Sequence, residues 1–199
     1  SEMCIRDSNN VDEIKLFENM MFETYSLGKV KNKIINAEPI FRNSDLVNIS
    51  IRAVKSGDIN NSHEFTNGLS SYEFCSLCRF AGLSTNLNLI SFKSDYQSSA
   101  ISSLVSEGIW YAIDGMDSVV EENIDVNSDN YIFYNVSVDN FDLKFVKSLI
   151  SNRWWVCLEN INLVQMEKTY IPCVEDDYLL SKNSVLSDRI LTRIKNKIT

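Results

Sequence analysis

The 199-residue chain is short of several things a protein uses for chemistry or for entering unusual environments. It has a single histidine, His63, so neither a histidine-rich metal site nor a pair of imidazole bases can be built within it. Only two prolines and six glycines punctuate it, and it has neither repeats nor a low-complexity linker. No run of about 18 apolar residues is present, which excludes a membrane-spanning helix. The N-terminus lacks the basic start and apolar stretch of a secretory signal. Positive charge is in deficit: 19 Lys and Arg against 27 Asp and Glu leave a net charge of -8. That balance argues against a nucleic-acid partner, which needs a basic face to neutralise phosphates.

What remains has the make-up of an ordinary folded protein, 44% hydrophobic and 23% charged. The length suits one domain with a real core or a piece of a larger one. Five cysteines, an odd number in a chain too long to need staples, imply free thiols and a reducing compartment, with the cytoplasm as the default.

Ser1 to Asn10 has no periodic apolar pattern and reads as a tag or an artefact. Helical spacing begins at Val11 and runs through Ile14, Phe17 and Met21. Phe22 to Leu27 reads as a short strand or turn. Val30 to Ala37 reads as a helix ended by Pro39. Asp45 to Val54 should be a buried strand, and Lys55 to Leu69, with two glycines, a loop. Ser70 or Ser71 caps a helix that Gly82 stops, and Leu87 to Phe92 is the next strand. Ser98 to Val120 gives a long helix whose Ile101, Leu104, Val105, Ile109, Trp110 and Ile113 form one apolar stripe. Strands and helices alternate to this point, the pattern of a parallel sheet covered by helices.

Beyond residue 121 the pattern changes. Strands at Tyr131 to Val138, Leu143 to Leu149 and Trp154 to Leu158, extended by Tyr170 to Pro172, predict an antiparallel appendage. Helices follow at Glu175 to Ser181 and Ser187 to Lys197. The expected organisation is therefore residues 1–10 as an appended segment, 11–120 as an α/β part and 121–199 as a β-rich extension with a terminal helix.

Five segments in order resemble the arginase, agmatinase and formiminoglutamase (ureohydrolase) family, in particular a branch found in Bacteroidota. They are Tyr25-Ser-Leu-Gly-Lys-Val-Lys31 with Glu38-Pro-Ile40; Asn67-Gly-Leu-Ser-Ser-Tyr-Glu73 with Arg79-Phe-Ala-Gly-Leu-Ser84; Ile109-Trp-Tyr-Ala-Ile-Asp-Gly115; Arg153-Trp-Trp155; and Tyr170-Ile-Pro-Cys-Val-Glu-Asp-Asp-Tyr178. The resemblance implies the C-terminal portion of a three-layer arginase-like fold, a parallel sheet with flanking helices, and a homo-oligomer as in the family.

The family's chemistry uses two manganese ions that lower the pKa of a bridging water and set it against a guanidinium or formimino carbon. Its ligands come from Gly-Gly-x-His, Asp-x-His-x-Asp, a later Asp-x-Asp and a Glu on the next strand. The first two motifs are absent here and by position would precede residue 1. The resemblance puts Ser50 and Arg52 at the Asp-x-Asp positions and Lys93 at the Glu position. Cations there repel Mn²⁺ and offer no lone pair, so no metal or other cofactor is expected. The leading expectation is an inactive homologue. The alternatives are a metal-dependent hydrolase of linear amidine or guanidino C–N bonds and a fragment without independent function, its central sheet edge unpaired.

Other features have plainer readings. Asp58, after Gly57, and His63 lie in the loop where the family places substrate-facing segments; a turn or capping role and a solvated histidine are the ordinary alternatives. Cys75 and Cys78 fall inside a helix among apolar residues, as buried thiols do. Glu73 suits the first turn of that helix. Glu121, Glu122, Glu175, Asp176 and Asp177 lack the spacing of a calcium loop and read as solvated surface. Trp154 and Trp155 point to opposite faces of a strand, one to the core and the other free to meet a partner subunit.

Overall fold

A computed structural model describes residues 3–6, 23–60, 66–158 and 170–198. The helix expected from Val11, and His63, lie outside the described residues. The chain divides into two compact units, Ser1–Val120 and Glu121–Thr199.

In the first unit, β1 (Met3–Arg6) pairs in parallel with β2 (Glu23–Ser26), so residues read from sequence as an appended segment form a strand. Ser26 then caps α1 (Leu27–Asn32), accepting a hydrogen bond from the Lys29 N–H. A 3₁₀ turn over Ile34–Ala37 leads into α2 (Glu38–Phe41). Pro39 therefore opens a helix where the sequence pattern suggested that it closes one. In the first turn its missing N–H has no intrahelical partner to lose. Glu38 and Arg42, both buried, pair one turn apart.

Strands β3 (Leu46–Ser50) and β4 (Leu89–Lys93) run parallel, with Leu46 opposite Leu89, Asn48 opposite Ser91 and Ser50 opposite Lys93. Alternation sends Val47 and Ile49 into the core while Leu46 and Asn48 stay exposed. The strand expected to reach Val54 ends at Ser50, because Ile51–Ala53 turns into a 3₁₀ helix. Within the expected loop, Ser56–Ile59 forms one helical turn, α3, and Val54 bridges to Leu69.

Helix α4 (Ser71–Gly82) begins with a capping box. The Ser70 hydroxyl accepts from the Glu73 N–H, and the Glu73 carboxylate accepts from the Ser70 N–H at 2.7 Å. Helix α5 (Ser99–Asp117) packs on α4. The apolar stripe expected along α5 is corrected here. Its buried face is Ile101, Leu104, Gly108, Ala112 and Gly115, whereas Ile109, Trp110 and Ile113 are exposed, Trp110 at 71%. The reason is steric. A Cβ on Gly82 would lie 2.0 Å from the Ala112 carbonyl oxygen, and one on Gly115 would lie 2.4 Å from that of Arg79. Two helix backbones this close admit only small residues between them, so the bulky ones turn outward.

The second unit holds an antiparallel sheet in the order β5 (Tyr131–Val138), β6 (Phe141–Ser148), β7 (Trp154–Leu158), β8 (Ile171–Cys173). Asp139 and Asn152 carry the positive φ values, 51° and 57°, in the turns that flank β6; their residue types tolerate that region best. Pro172 sits on an edge strand, where its missing donor costs no ladder bond. Tyr178, from α6 (Glu175–Lys182), stacks on Trp154 and meets Tyr134 and Phe145. Ile190 and Ile194 of α7 (Asp188–Ile198) complete this core.

Two surface expectations in this unit are corrected. Asp177 is 5% exposed: it accepts a hydrogen bond from the Val174 N–H and pairs with the buried Arg189 at 2.5 Å. Trp154 and Trp155 are 5% and 6% exposed, so both are buried and neither is a free surface for a partner subunit.

Candidate functional site

The C-terminal ends of parallel strands are where open α/β sheets place ligands, because the chain leaves there in loops rather than in the ladder. In this molecule Ser50 and Lys93 close β3 and β4 as register partners, on the face of the sheet that also carries Asn48 and Ser91. Arg52 lies two residues beyond Ser50, in the 3₁₀ turn, with Ile51 and Val54 anchoring that turn in the core. Its guanidinium reaches the chain that leaves β4, where Asp95 lies 3.5 Å away. All three positions singled out in the sequence thus gather at one corner. Asp95, which the sequence pattern did not single out, joins them; an acidic residue two positions past a strand end was the signal for it.

A serine hydroxyl is a weak ligand for a hard divalent cation, and ammonium and guanidinium groups are not ligands at all. The residues present do not fit a pair of manganese ions. Among the described residues, no three His, Cys, Asp or Glu side chains gather where they could hold a metal.

Asp58 has a structural role at the other end of the same loop. Its carboxylate accepts from the Ser71 N–H at 2.7 Å and from the Ser71 hydroxyl at 2.9 Å, so it supports the start of α4, and Lys55 pairs with it at 3.2 Å. Burial pushes its pKa up, but the Ser71 hydrogen bonds and Lys55 together outweigh that and hold it below the usual carboxylate value. Glu73 is engaged in the capping box.

Cys75 and Cys78 are free, buried thiols. Burial, with the neighbouring Cys75, pushes Cys78 up to about 12. A thiol so far from ionising is a poor nucleophile and a poor metal ligand. Burial and the Glu122 carboxylate that accepts its hydroxyl hydrogen likewise push Tyr131 up to about 12.

Two depressions flank the parallel sheet. One, about 530 Å³, is polar and lies at the opposite strand ends, against Asn43, Asp45, Thr85 and Asn86. The other, about 310 Å³, is apolar and runs between β4 and α5, lined by Leu89, Phe92, Ile109, Ile113 and Met116. No helix among the described residues is long and apolar enough to cross a membrane.

No protein-family model matches the sequence, and no curated protein does. Among solved structures, the chain is similar to a Trypanosoma cruzi formiminoglutamase, crystallised in an oxidized form with Mn²⁺. The TM-score is 0.50 at 15% identity, over 56% of this chain and 42% of that one. The chain therefore spans less than half the length of that protein. At this identity the likeness is one of fold: part of an arginase-like α/β architecture.

Proposed function

We propose that this chain is a ureohydrolase-family homologue of the formiminoglutamase-like branch, corresponding to the C-terminal portion of that fold, with its hydrolytic metal centre lost by substitution. The observation that carries the reading is the register of β3 and β4, which sets Ser50 beside Lys93 and leads directly to Arg52. Where that branch holds carboxylates for manganese, this corner presents a hydroxyl and two cations. The fold likeness to a manganese-containing formiminoglutamase supports the comparison. In this reading the protein keeps the scaffold for binding or assembly and needs no metal.

The same likeness favours a second reading, a metal-dependent hydrolase of linear amidine C–N bonds that draws its ligands from residues other than these three. Metal content separates the two. The protein is incubated with excess Mn²⁺, desalted, and its manganese measured by elemental analysis. Essentially none is expected. About two ions per chain, the complement of a dinuclear site, would overturn the inactive reading in favour of the second.

A further inference from the structure

We propose that Asn67 is a site of covalent self-modification: in the folded protein it loses ammonia by reaction with the Gly68 backbone and becomes a mixture of aspartyl and isoaspartyl residues. Side-chain amides are among the thermolabile groups of proteins.

The chain holds two places where a side-chain carbonyl carbon is followed by a glycine nitrogen, Asn67-Gly68 and Asp114-Gly115. At either place the nitrogen can close a five-membered ring on that carbon, and a glycine, with no Cβ, screens its nitrogen least. The structure separates the two pairs. Asp114 and Gly115 lie within α5, where an interior N–H is held by the carbonyl one turn back. The Asp114 carboxylate accepts from Arg79 at 2.6 Å. The Gly115 backbone is pressed against α4, so neither ring-forming atom is at liberty to move.

Asn67 stands differently. It is exposed, in a bend outside any helix or strand. Among the described residues the Gly68 N–H donates to no acceptor, so closing the ring breaks no bond of that amide. Gly68 is buried, and its fixed contacts run from its carbonyl onward. That carbonyl accepts from Lys31 at 3.0 Å, the Leu69 N–H donates to the Ala53 carbonyl at 2.7 Å, and the Leu69 carbonyl accepts from the Lys55 N–H at 2.9 Å. The ring forms in the other direction, from the Gly68 nitrogen back through the atoms of Asn67.

Packing also keeps the labile pair in place. A Cβ at position 68 would lie 2.5 Å from the Lys55 nitrogen and 2.8 Å from the Ala53 carbonyl oxygen. A bulkier residue after Asn67, which would slow ring closure, is therefore shut out.

The reaction needs only water. The Gly68 nitrogen gives up its proton and bonds to Asn67 Cγ; the Cγ–Nδ2 bond breaks and ammonia leaves with a proton. One water then opens the cyclic imide. Cleavage of the new bond at Cγ gives aspartate, and cleavage at the original peptide carbonyl gives isoaspartate. Either product carries a new carboxylate. The isoaspartyl form also lengthens the main chain by one carbon, immediately before the clasp between Leu69 and residues 53–55.

The test incubates the whole chain in mildly alkaline buffer, folded and in urea, and follows each Asn and Asp by peptide mapping. An isoaspartyl-specific carboxyl methyltransferase with labelled methyl donor counts isoaspartate. In the folded chain Asn67 should convert ahead of every other asparagine and yield isoaspartate, while Asp114 isomerises in urea only. Asn67→Gln, whose ring would need a sixth member, should lose the product at this position. Asn67 intact in the folded chain but converted in urea, another asparagine reacting first, or aspartate without isoaspartate would each overturn the proposal. Manganese uptake reads the proposed function independently, so either can fail without the other.

Discussion

The two sheets of this molecule reverse a familiar contrast. Parallel sheets are as a rule buried on both faces, and antiparallel ones often leave a face to water. Here the antiparallel strands β6 and β7 are buried on both faces: Phe145 and Val146, which point opposite ways, are each 0% exposed, and Trp154 through Cys157 are all buried. The parallel pair β3 and β4 buries one face only, leaving Leu46 and Leu89 side by side at 59% and 51% exposure. Its stability comes from one side, through Val47 and Ile49 and the tightly docked pair of helices α4 and α5. The difference teaches that strand type does not by itself set burial; what packs against each face does.

The contrast is broken most directly by cutting the same kind of side chain from each sheet. Phe145→Ala should cost about 3–5 kcal/mol of stability, whereas Leu89→Ala should change it by less than about 0.5 kcal/mol; urea denaturation compares them. Equal losses would show that something covers the open face of the parallel pair in solution. Gly82→Ala tests the helix docking that compensates for that face. Its added methyl meets backbone, so a loss of about 3 kcal/mol is expected, at the upper end of ordinary overpacking, again read by urea midpoint.

Asp58→Asn has a smaller expected effect, about 1 kcal/mol, the usual worth of a helix-start carboxylate. This effect carries a pH signature. Because the folded pKa is depressed, the Asp58 contribution is fully present above the ordinary carboxyl value of 3.8 and is lost as pH falls through the lower folded value. The stability difference between the unsubstituted chain and the Asp58→Asn variant should therefore be flat from neutral pH down to about 5 and shrink below 3.8; a difference that instead grew with acid would refute the capping role.

Local rules made much of the secondary structure legible. Strands β5 and β7 lie where the apolar runs put them. The α4 start was readable because Ser70 and Glu73 stand at capping-box spacing. Errors arose where tertiary contact overrode a local signal. Pro39 can end a helix or begin one, and only the chain around it decides. The α5 stripe was misplaced because apolarity was counted and size was not: glycines at 82 and 115 let the backbones meet, which displaces the large side chains. Asp177 looked like surface, but it is buried in an ion pair with Arg189, and Trp154 and Trp155, expected to divide between core and surface, are both buried.

At the candidate corner, the residue types of Ser50, Arg52 and Lys93 were visible in the sequence. That Ser50 and Lys93 face each other was not visible. Register between two strands about forty residues apart is set by the core they share, and no spacing in one sequence encodes it.

The contact between α4 and α5 also bears on how this sequence can drift. A helix face on which Gly82 meets Ala112 and Gly115 meets Arg79 through bare backbone accepts almost no replacement, while the face bearing Trp110 has no such restriction. Among relatives that keep this helix pair, inheritance should therefore hold the smallest side chains fixed and let the largest vary. The most durable record of ancestry in this segment would then lie in residues that contribute hardly any atoms.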